Sequence, residues 1–258
     1  MTRDYFRLQG KTALITGASS GLGAHFAGVL AEAGATVVLA ARRSDKLAEQ
    51  VATIADSGGV ASAVSMDVTD PGSVDGAFTR IADDIGNIDI LVNNAGVADD
   101  PTRFLDTGEE EWQRIVETNL NGAWRVARAG ARHMAAAGTA GSIVNIASIY
   151  GLRTGAMKVA YNVSKAGVVQ LTKSMAVELC REQIRVNALC PGWFLTDINR
   201  EYFESERGER YIRTIPARRM GAMTDLTAPL LLLASNAAGG YMTGSVLTVD
   251  GGLLESPV

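Results

Sequence analysis

A tyrosine and a lysine stand four positions apart near the middle of the chain, in the segment VAYNVSKAGV (159–168). Residues with this spacing share one face of a helix, so the phenol of Tyr161 and the ammonium of Lys165 are expected to be neighbours. A phenol has a pKa of about 10, which is high for proton exchange near neutral pH. Because a nearby positive charge favours the tyrosinate, we expect Lys165 to lower the pKa of Tyr161 and make it a general acid or base.

A glycine-rich turn, TGASSGLG (16–23), follows a short apolar segment and opens a helical pattern. Gly17, Gly21 and Gly23 would let the backbone turn tightly and approach a phosphate, and the N-terminus of the helix would attract that anion. The spacing G-x-x-x-G-x-G differs from the general dinucleotide fingerprint G-x-G-x-x-G. The position between a strand and a helix nevertheless predicts a dinucleotide-binding turn. The alternative is a turn with a structural role alone.

The end of the second predicted strand indicates which dinucleotide is bound. An acidic side chain there would bind the ribose 2′-hydroxyl of NAD, but the strand reads VVLAARR, with Ala41 in the acidic position. A guanidinium can pair with the 2′-phosphate of NADP in a fork, whereas a carboxylate would repel it. Arg42 is the stronger candidate, Arg43 follows it, and Ser20 could add a hydroxyl donor. NADP(H) is therefore favoured over NAD(H), unless both arginines only solvate the start of a helix.

An alternation of apolar strands and helices must position these groups. The predicted strands are 12–17, 35–41, 60–68, 88–96, 141–148, 184–192 and 245–252. The predicted helices are 22–34, 44–56, 70–86, 108–137 and 156–181, with a short helix after 223. Strands that are apolar throughout and separated by helices are typical of a parallel sheet covered on both faces. We expect an α/β, doubly wound Rossmann fold with a seven-stranded, mostly parallel sheet, as a single domain over residues 1–258.

The composition argues against several other classes of protein. The 258 residues are 47% hydrophobic and 20% charged, as in an ordinary globular chain, and a net charge of −4 does not suggest a nucleic-acid partner. The longest apolar run, PLLLLA (229–234), is too short to cross a membrane, and no signal pattern opens the chain. We expect a cytoplasmic protein with Cys180 and Cys190 reduced, and no metal site, since two histidines lack ligand-spaced partners.

Several motifs follow one another in an order, and at separations, that resemble the short-chain dehydrogenase/reductase family in its compact single-domain branch. They are TGASSGLG (16–23), DV (67–68), NNAG (93–96), NLNG (119–122), Ser148, YNVSK (161–165) and PGWFLT (191–196). The resemblance extends over essentially the whole chain, to VDGG (249–252). It implies an oxidoreductase that transfers a hydride between a nicotinamide cofactor and a ketone or secondary alcohol.

The same resemblance assigns roles to individual residues. Tyr161 would be the general acid or base, Lys165 its partner and a clamp for the nicotinamide ribose, and Ser148 would hold the substrate oxygen. Asn119 would join a proton relay through its backbone and water, and Asp67 would receive the adenine amine. Contacts with the cofactor are expected from Gly17, Ser19, Ser20, Gly21, Leu22, Gly23, Arg42, Arg43, Asp67, Val68, Asn94, Ala95, Gly96, Tyr161, Lys165, Pro191, Gly192, Phe194 and Thr196.

The segment 193–223 corresponds, by the resemblance, to a lid over the substrate. Its arginines could attract an anionic substrate; they are Arg207, Arg210, Arg213, Arg218 and Arg219. Interleaved glutamates favour a different interpretation, in which Glu206–Arg210 and Glu209–Arg213 pair along a solvated helix.

The sequence leaves the substrate and the assembly open. Resemblance to polyol and gluconate dehydrogenases, to 3-oxoacyl thioester reductases and to bulky-ketone reductases gives three alternatives within the family. A cofactor-binding regulator without turnover is the alternative from another class, although Ser148, Tyr161 and Lys165 are all present. Related proteins pair their two long helices, here 108–137 and 156–181, so a homotetramer or homodimer is expected.

Overall fold

One parallel sheet organises the computed structural model, which describes residues 4–195 and 203–256. Its strands are β1 (Thr12–Thr16), β2 (Thr36–Ala41), β3 (Val60–Ser65), β4 (Ile90–Asn93), β5 (Ser142–Ile146), β6 (Arg185–Pro191) and β7 (Val246–Val249). They lie in the order β3-β2-β1-β4-β5-β6-β7, and every neighbouring pair is parallel. The predicted α/β doubly wound fold is confirmed, and the sheet is parallel throughout.

Helices connect the strands and cover the sheet. They are α1 (Gly21–Glu32), α2 (Ser44–Asp56), α3 (Pro71–Asp84), α4 (Glu109–Val116), α5 (Gly122–Ala136), α6 (Val159–Glu178), α7 (Glu206–Ile212), α8 (Thr227–Ala234) and α9 (Asn236–Gly239). The strand order reverses between β1 and β4, and such a switch point at the carboxyl ends of the strands is where doubly wound folds bind their ligands. None of the described helices is long and apolar enough to cross a membrane.

Side chains alternate between the two faces of the sheet and fill a separate hydrophobic core on each. Ile15 of β1 packs in one core with Leu30 of α1. Leu14, the preceding residue, lies in the other core with Phe78 of α3 and Met134 of α5. Because both faces are covered, apolar residues occupy consecutive strand positions, and this explains the unbroken apolar runs in the sequence.

The long helical region predicted over 108–137 is interrupted by a wider turn. Between α4 and α5, residues Glu117–Asn121 form a π-helical turn, in which the N–H of Gly122 bonds to the carbonyl oxygen of Glu117. A π turn adds a residue without ending the helix, so helical periodicity alone does not reveal it. Such turns are frequent at functional sites, and this one contains the buried Asn119.

Candidate active site

The glycine-rich turn joins β1 to α1 at the carboxyl edge of the sheet. Gly17 has a φ of 66°, which favours glycine, and a Cβ on Gly23 would lie 2.3 Å from the carbonyl oxygen of Gly17. The helix begins with Gly21, Leu22 and Gly23, and Ser20, its N-cap residue, makes no side-chain hydrogen bond to it. The first N–H groups of a twelve-residue helix are therefore left to bind an anion.

Two arginines follow β2 and point to different partners. Nη2 of Arg43 donates hydrogen bonds to the hydroxyls of Ser19 (3.0 Å) and Ser20 (3.2 Å) in the glycine-rich turn. Nη1 of Arg42 lies 4.0 Å from a carboxylate oxygen of Asp67. The sequence favoured Arg42, but the structure brings Arg43, the N-cap residue of α2, to the turn.

Asp67 and Val68 follow β3 at the same edge. One carboxylate oxygen of Asp67 accepts hydrogen bonds from the N–H (2.9 Å) and the hydroxyl (2.8 Å) of Thr69. Partial burial opposes the charge, but these hydrogen bonds and the Arg42 guanidinium hold the pKa of Asp67 below its usual value. The second oxygen of an ionised carboxylate can accept an amine donor, which fits the adenine role assigned to Asp67.

The NNAG motif fastens the end of β4 to the end of β1. The backbone N–H groups of Asn94 and Ala95 both donate to the hydroxyl of Thr16 at 3.0 Å, and Nδ2 of Asn94 donates to the carbonyl oxygen of Thr16 at 2.9 Å. These hydrogen bonds hold the glycine-rich turn in place. Gly96 lies farther into the cleft, where a Cβ would be 3.5 Å from Nζ of Lys165.

The structure brings together three of the predicted catalytic side chains. Ser148, two residues beyond the end of β5, lies close enough to Tyr161, on the first turn of α6, for its hydroxyl to favour the ionised phenol and so lower its pKa. Nζ of Lys165 lies 5.7 Å from the centre of the Tyr161 ring and donates to the carbonyl oxygen of Ile146 at 2.9 Å. A hydroxyl pair beside a buried amine is an arrangement that can donate a proton to a carbonyl oxygen and stabilise its charge.

The electrostatics of this group differ from the prediction. Burial raises the pKa of Tyr161 to about 12; the hydrogen bond with Ser148 opposes this, and Asp99 and Cys190 add to it. Burial also lowers the pKa of Lys165 to about 8. The net pKa of Tyr161 is therefore raised and not lowered as expected, because burial disfavours the charged forms of both side chains and outweighs the effect expected from Lys165.

Asn119 lies in the π turn and is almost fully buried. Its Oδ1 accepts from the N–H of Val97, and its Nδ2 donates to the carbonyl oxygen of Val97, both at 2.8 Å. Nδ2 also lies 3.2 Å from the hydroxyl of Ser164 on α6. Since the side chain is used in holding the loop after β4 against α6, the role open to Asn119 in a proton relay is that of its backbone.

The PGWFLT motif follows β6 on the other side of the cleft. Pro191 is the last residue of β6, and the N–H of Gly192 donates to the carbonyl oxygen of Val249 at 2.9 Å. Phe194 is buried and forms an isolated bridge with Gly221. Thr196 lies outside the described residues, so its predicted contact with the nicotinamide carboxamide stays a prediction.

Sequence reasoning missed a cluster of aromatic rings beside Tyr161. The ring of Tyr150 meets those of Tyr161 (6.5 Å between centroids) and Trp193 (6.0 Å) edge to face. Trp193 also contacts Phe203 (5.0 Å) and Tyr211 (5.9 Å). We call Tyr150, Trp193, Phe203 and Tyr211 the aromatic wall. Its members come from three separate segments, so no local pattern shows them; the one available signal is that Tyr150 closely follows the predicted catalytic serine.

Two of the five lid arginines form ion pairs among the described residues. Arg210 lies 3.9 Å from Glu206 on α7, which confirms the first predicted pair, and Arg219 binds Asp225 at 2.6 Å. The second predicted pair, Glu209–Arg213, is not among the ion pairs of the described residues; the backbone N–H of the arginine instead donates to the carbonyl oxygen of the glutamate, at 3.2 Å, where α7 ends.

The carboxyl edge of the sheet fits a dinucleotide with an additional phosphate. An uncapped helix N-terminus follows a turn that has no room for a Cβ at Gly23, and this arrangement suits a pyrophosphate. Arg43 and the two hydroxyls it binds lie at the start of that helix, where a 2′-phosphate would be held.

Comparisons with known proteins identify the family of this chain. A family model described as enoyl-(acyl carrier protein) reductase matches residues 17–254. The L-rhamnose 1-dehydrogenase (NAD(P)(+)) of Azotobacter vinelandii is 40% identical over 94% of this chain and 96% of that protein. The 3-oxoacyl-[acyl-carrier-protein] reductase FabG of Vibrio cholerae is 37% identical over 95% and 98%. A gluconate 5-dehydrogenase from Burkholderia cenocepacia, crystallised with NADP and tartrate, superposes with a TM-score of 0.93 at 36% identity, covering 98% of both chains.

The chain belongs to the short-chain dehydrogenase/reductase family, as its motifs predicted. It is an oxidoreductase of the kind that acts on CH–OH or C=O groups with NAD(P), which confirms the predicted class of enzyme. The relatives are named for a deoxy sugar, a 3-oxoacyl thioester and a sugar acid. Their substrates differ, so the family alone does not identify the substrate of this protein.

Proposed function

We propose that the protein interconverts a ketone and a secondary alcohol with NADP(H), and that Tyr161 is its general acid or base. The observation that carries this proposal is that Tyr161 lies beside both the buried hydroxyl of Ser148 and the buried amine of Lys165. These groups lie at the carboxyl edge of the sheet, on the same edge as the glycine-rich turn. NADP(H) is favoured, and NAD(H) remains an alternative.

The chemistry follows from the charge that a reduction creates. When bound, the nicotinamide donates or accepts the hydride. The carbonyl oxygen becomes negative as it is reduced, and the hydroxyls of Ser148 and Tyr161 can donate hydrogen bonds to it. Tyr161 then gives its proton to this oxygen, and the ammonium of Lys165 stabilises the tyrosinate that remains. The backbone of Asn119 would help to return a proton to Lys165 by way of water.

The cofactor would extend along the carboxyl edge of the sheet. Asp67 and Val68 are at the adenine end, and the glycine-rich turn is at the pyrophosphate. Arg43, with Ser19 and Ser20, is the site we propose for the 2′-phosphate, and Arg42 adds positive charge beside it. Toward the nicotinamide end, the proposed contacts come from Asn94, Ala95, Gly96, Lys165, Pro191, Gly192 and Phe194.

The aromatic wall favours a cyclic substrate. The indole N–H of Trp193 donates to the hydroxyl of Tyr211 at 3.0 Å, and burial together with the nearby phenol of Tyr211 raises the pKa of Tyr150. Trp193 and Tyr211 therefore pair their polar atoms with each other, and the rings of the wall present apolar surface beside Tyr161. A flat apolar face, such as that of a sugar ring or an alicyclic ketone, can lie against such rings more fully than an open chain can.

A screen of substrates with both cofactors tests this proposal. L-rhamnose and D-gluconate with NADP⁺ or NAD⁺, and acetoacetyl thioester and cyclohexanone with NADPH or NADH, represent the alternatives. We expect turnover with at least one cyclic compound, and faster turnover with the phosphorylated cofactor. Tight NADPH binding without turnover on any of them would favour the regulator and contradict the proposal.

Substitution of Tyr161 tests its role directly. Tyr161→Phe is expected to lower kcat about 10²–10⁴-fold, the usual contribution of a general acid, while the Kd for NADPH changes little. Tyr241→Phe removes a hydroxyl from a fully exposed tyrosine and is the matched control. Turnover near that of the unaltered enzyme in Tyr161→Phe would remove Tyr161 from the mechanism.

Three further features belong to this proposal. The cytoplasmic location, the single domain and the homotetramer or homodimer are predictions from the sequence and the family resemblance. The assembly can be tested at apolar residues that the two long helices expose.

A further inference from the structure

Asp99 reaches the catalytic helix from a different part of the chain. It follows the NNAG motif after β4 and is 8% exposed, although it carries a carboxylate. One of its carboxylate oxygens accepts the backbone N–H of Tyr161 at 3.3 Å. The N-cap residue of α6, Lys158, makes no side-chain hydrogen bond to the helix, so a carboxylate from another segment occupies the place of its cap.

Lys158 binds the same residue from the other side. Its Nζ donates to the backbone carbonyl oxygen of Asp99 at 3.0 Å and lies 3.5 Å from Oδ1 of its carboxylate. One more hydrogen bond joins the two segments, from the N–H of Thr102 to the carbonyl oxygen of Met157 at 3.0 Å. Met157 has a φ of 61°, a conformation unfavourable for its side chain, so these contacts hold a strained turn before α6.

We propose that Asp99 and Lys158 form a positioning pair that fixes the start of α6 and adjusts how readily Tyr161 gives up its proton. The two charges act with opposite signs: the carboxylate of Asp99 disfavours the tyrosinate, and the ammonium of Lys158 offsets part of this effect. The pair touches Tyr161 only through its backbone. The inference rests on the proposed function for the role of Tyr161, whereas the contacts themselves are independent of any substrate.

Other groups near Tyr161 do not duplicate this arrangement. Lys165 lies beside the ring on the same helix, Ser148 and Tyr150 come from the segment after β5, and Cys190 comes from β6. Among the causes that raise the pKa of Tyr161, Asp99 is the one carboxylate.

The loop that carries Asp99 also faces one cation from α4. Nη2 of Arg114 donates to the carbonyl oxygen of Ala98 at 3.0 Å, but the same guanidinium is paired with Glu111 at 2.7 Å. Within residues 4–195 and 203–256, Lys158 is therefore the cation paired with the carboxylate of Asp99.

The test follows the ionisation of Tyr161 by the near-ultraviolet absorbance of tyrosinate, with saturating NADP⁺ present and Tyr161→Phe as the reference to be subtracted. Asp99→Asn keeps the shape of the side chain and removes its charge. We expect its tyrosinate to form at a pH lower by about half a unit, a roughly threefold change in the ionisation constant. Lys158→Met removes the opposite charge, so the expected shift is of similar size and toward higher pH.

A further variant and a pH profile separate positioning from simple stabilisation. Lys158→Arg keeps the charge and is expected to titrate like the unaltered protein. Where a cyclic substrate is found in the screen, the pH profile of kcat should move in the same direction as each titration. If the melting curve shows that Asp99→Asn does not fold, the comparison of Lys158→Met with Lys158→Arg still shows whether the charge at position 158 affects the ionisation of Tyr161.

Shifts of opposite sign in Asp99→Asn and Lys158→Met would support the positioning pair. Unchanged titrations, or shifts in the same direction, would overturn it and leave a cap that acts on stability alone. The titration needs no substrate, so opposite shifts in a protein without turnover would count against the proposed function and not against the pair.

Discussion

At the scale of single residues, Lys165 combines a cost in stability with a role in chemistry. It is 5% exposed, and its ammonium donates to the carbonyl oxygen of Ile146 at 2.9 Å. Burial lowers its pKa from 10.5 to about 8, so the folded protein binds this proton less tightly than the unfolded chain does. A charge held in this way is available to stabilise a tyrosinate at the moment when Tyr161 loses its proton.

The lowered pKa of Lys165 predicts how stability depends on pH. Below about pH 8 the folded state bears the cost of a buried ammonium; the cost disappears as pH rises through 8 toward 10.5, where the lysine is neutral in both states. Lys165→Met carries no such cost at any pH. The unaltered protein should therefore gain stability between pH 7 and pH 10, whereas Lys165→Met should not. The free energy of unfolding of Lys165→Met minus that of the unaltered protein should fall by on the order of 3 kcal/mol over this range.

Urea denaturation at the two pH values measures this difference, because constant effects of the substitution on packing cancel. Lys173→Met, on an exposed position of the same helix, is the matched control and should show no comparable change. A difference between Lys165→Met and the unaltered protein that stays the same at both pH values would mean that Lys165 titrates normally.

At the scale of elements, the ends of strands and the starts of helices create the binding surface. β1 ends in the glycine-rich turn, β2 ends just before Arg42 and Arg43, and β4 ends at the NNAG motif. The π turn between α4 and α5 adds Asn119, whose side chain holds the loop after β4. In parallel sheets these ends meet at one edge, so short segments that are far apart in sequence form a single cleft.

Substitution of the arginines after β2 tests this binding surface. Arg43→Ala is expected to weaken the binding of NADPH by about 10–100-fold, which corresponds to the loss of a charge-assisted hydrogen bond. The binding of NADH should weaken much less, because NADH lacks the 2′-phosphate. Arg42→Ala should likewise weaken the binding of NADPH more than the binding of NADH. Arg80→Ala, at an exposed position of α3, is the control. The Kd of each cofactor is measured by fluorescence titration, and equal weakening of NADPH and NADH would place the phosphate elsewhere.

At the scale of the whole molecule, both faces of the sheet are buried, but the long helices expose apolar side chains to solvent. Trp124 on α5 is 48% exposed, and Val163 and Val177 on α6 are 44% and 79% exposed. Exposed apolar side chains on two helices are a feature of surfaces that bind another protein when they form a continuous patch. They lie on the two long helices through which we predict that copies of this chain pair.

The predicted assembly can be tested on one residue of this surface. Val177→Glu places a charge on α6 and should reduce the molar mass in sedimentation equilibrium at least twofold, because an unpaired charge at the interface is costly. Val60→Glu changes a residue of similar exposure, 62%, on β3 and is the control. If the unaltered protein sediments as a monomer, the helix pairing is wrong.

Much of this molecule follows from local sequence. Unbroken apolar runs separated by helical patterns predict the parallel sheet, because a strand buried on both faces needs apolar residues at consecutive positions. The glycine-rich turn and the four-residue spacing of Tyr161 and Lys165 predict a cofactor turn and a catalytic pair, because each depends on a short stretch of backbone. The order of the motifs then identifies the family.

Only the tertiary structure decided how these groups affect one another. Burial raises the pKa of Tyr161, against the expected effect of Lys165, and burial is a sum over residues from many segments. Arg43 rather than Arg42 contacts the glycine-rich turn, through hydrogen bonds to residues more than twenty positions earlier in the chain. Asp99 caps α6 from 62 positions away. The sequence by itself determined which elements form and which reactive groups are present; distances, burial and charge balance arise when distant segments pack, and no local pattern records them.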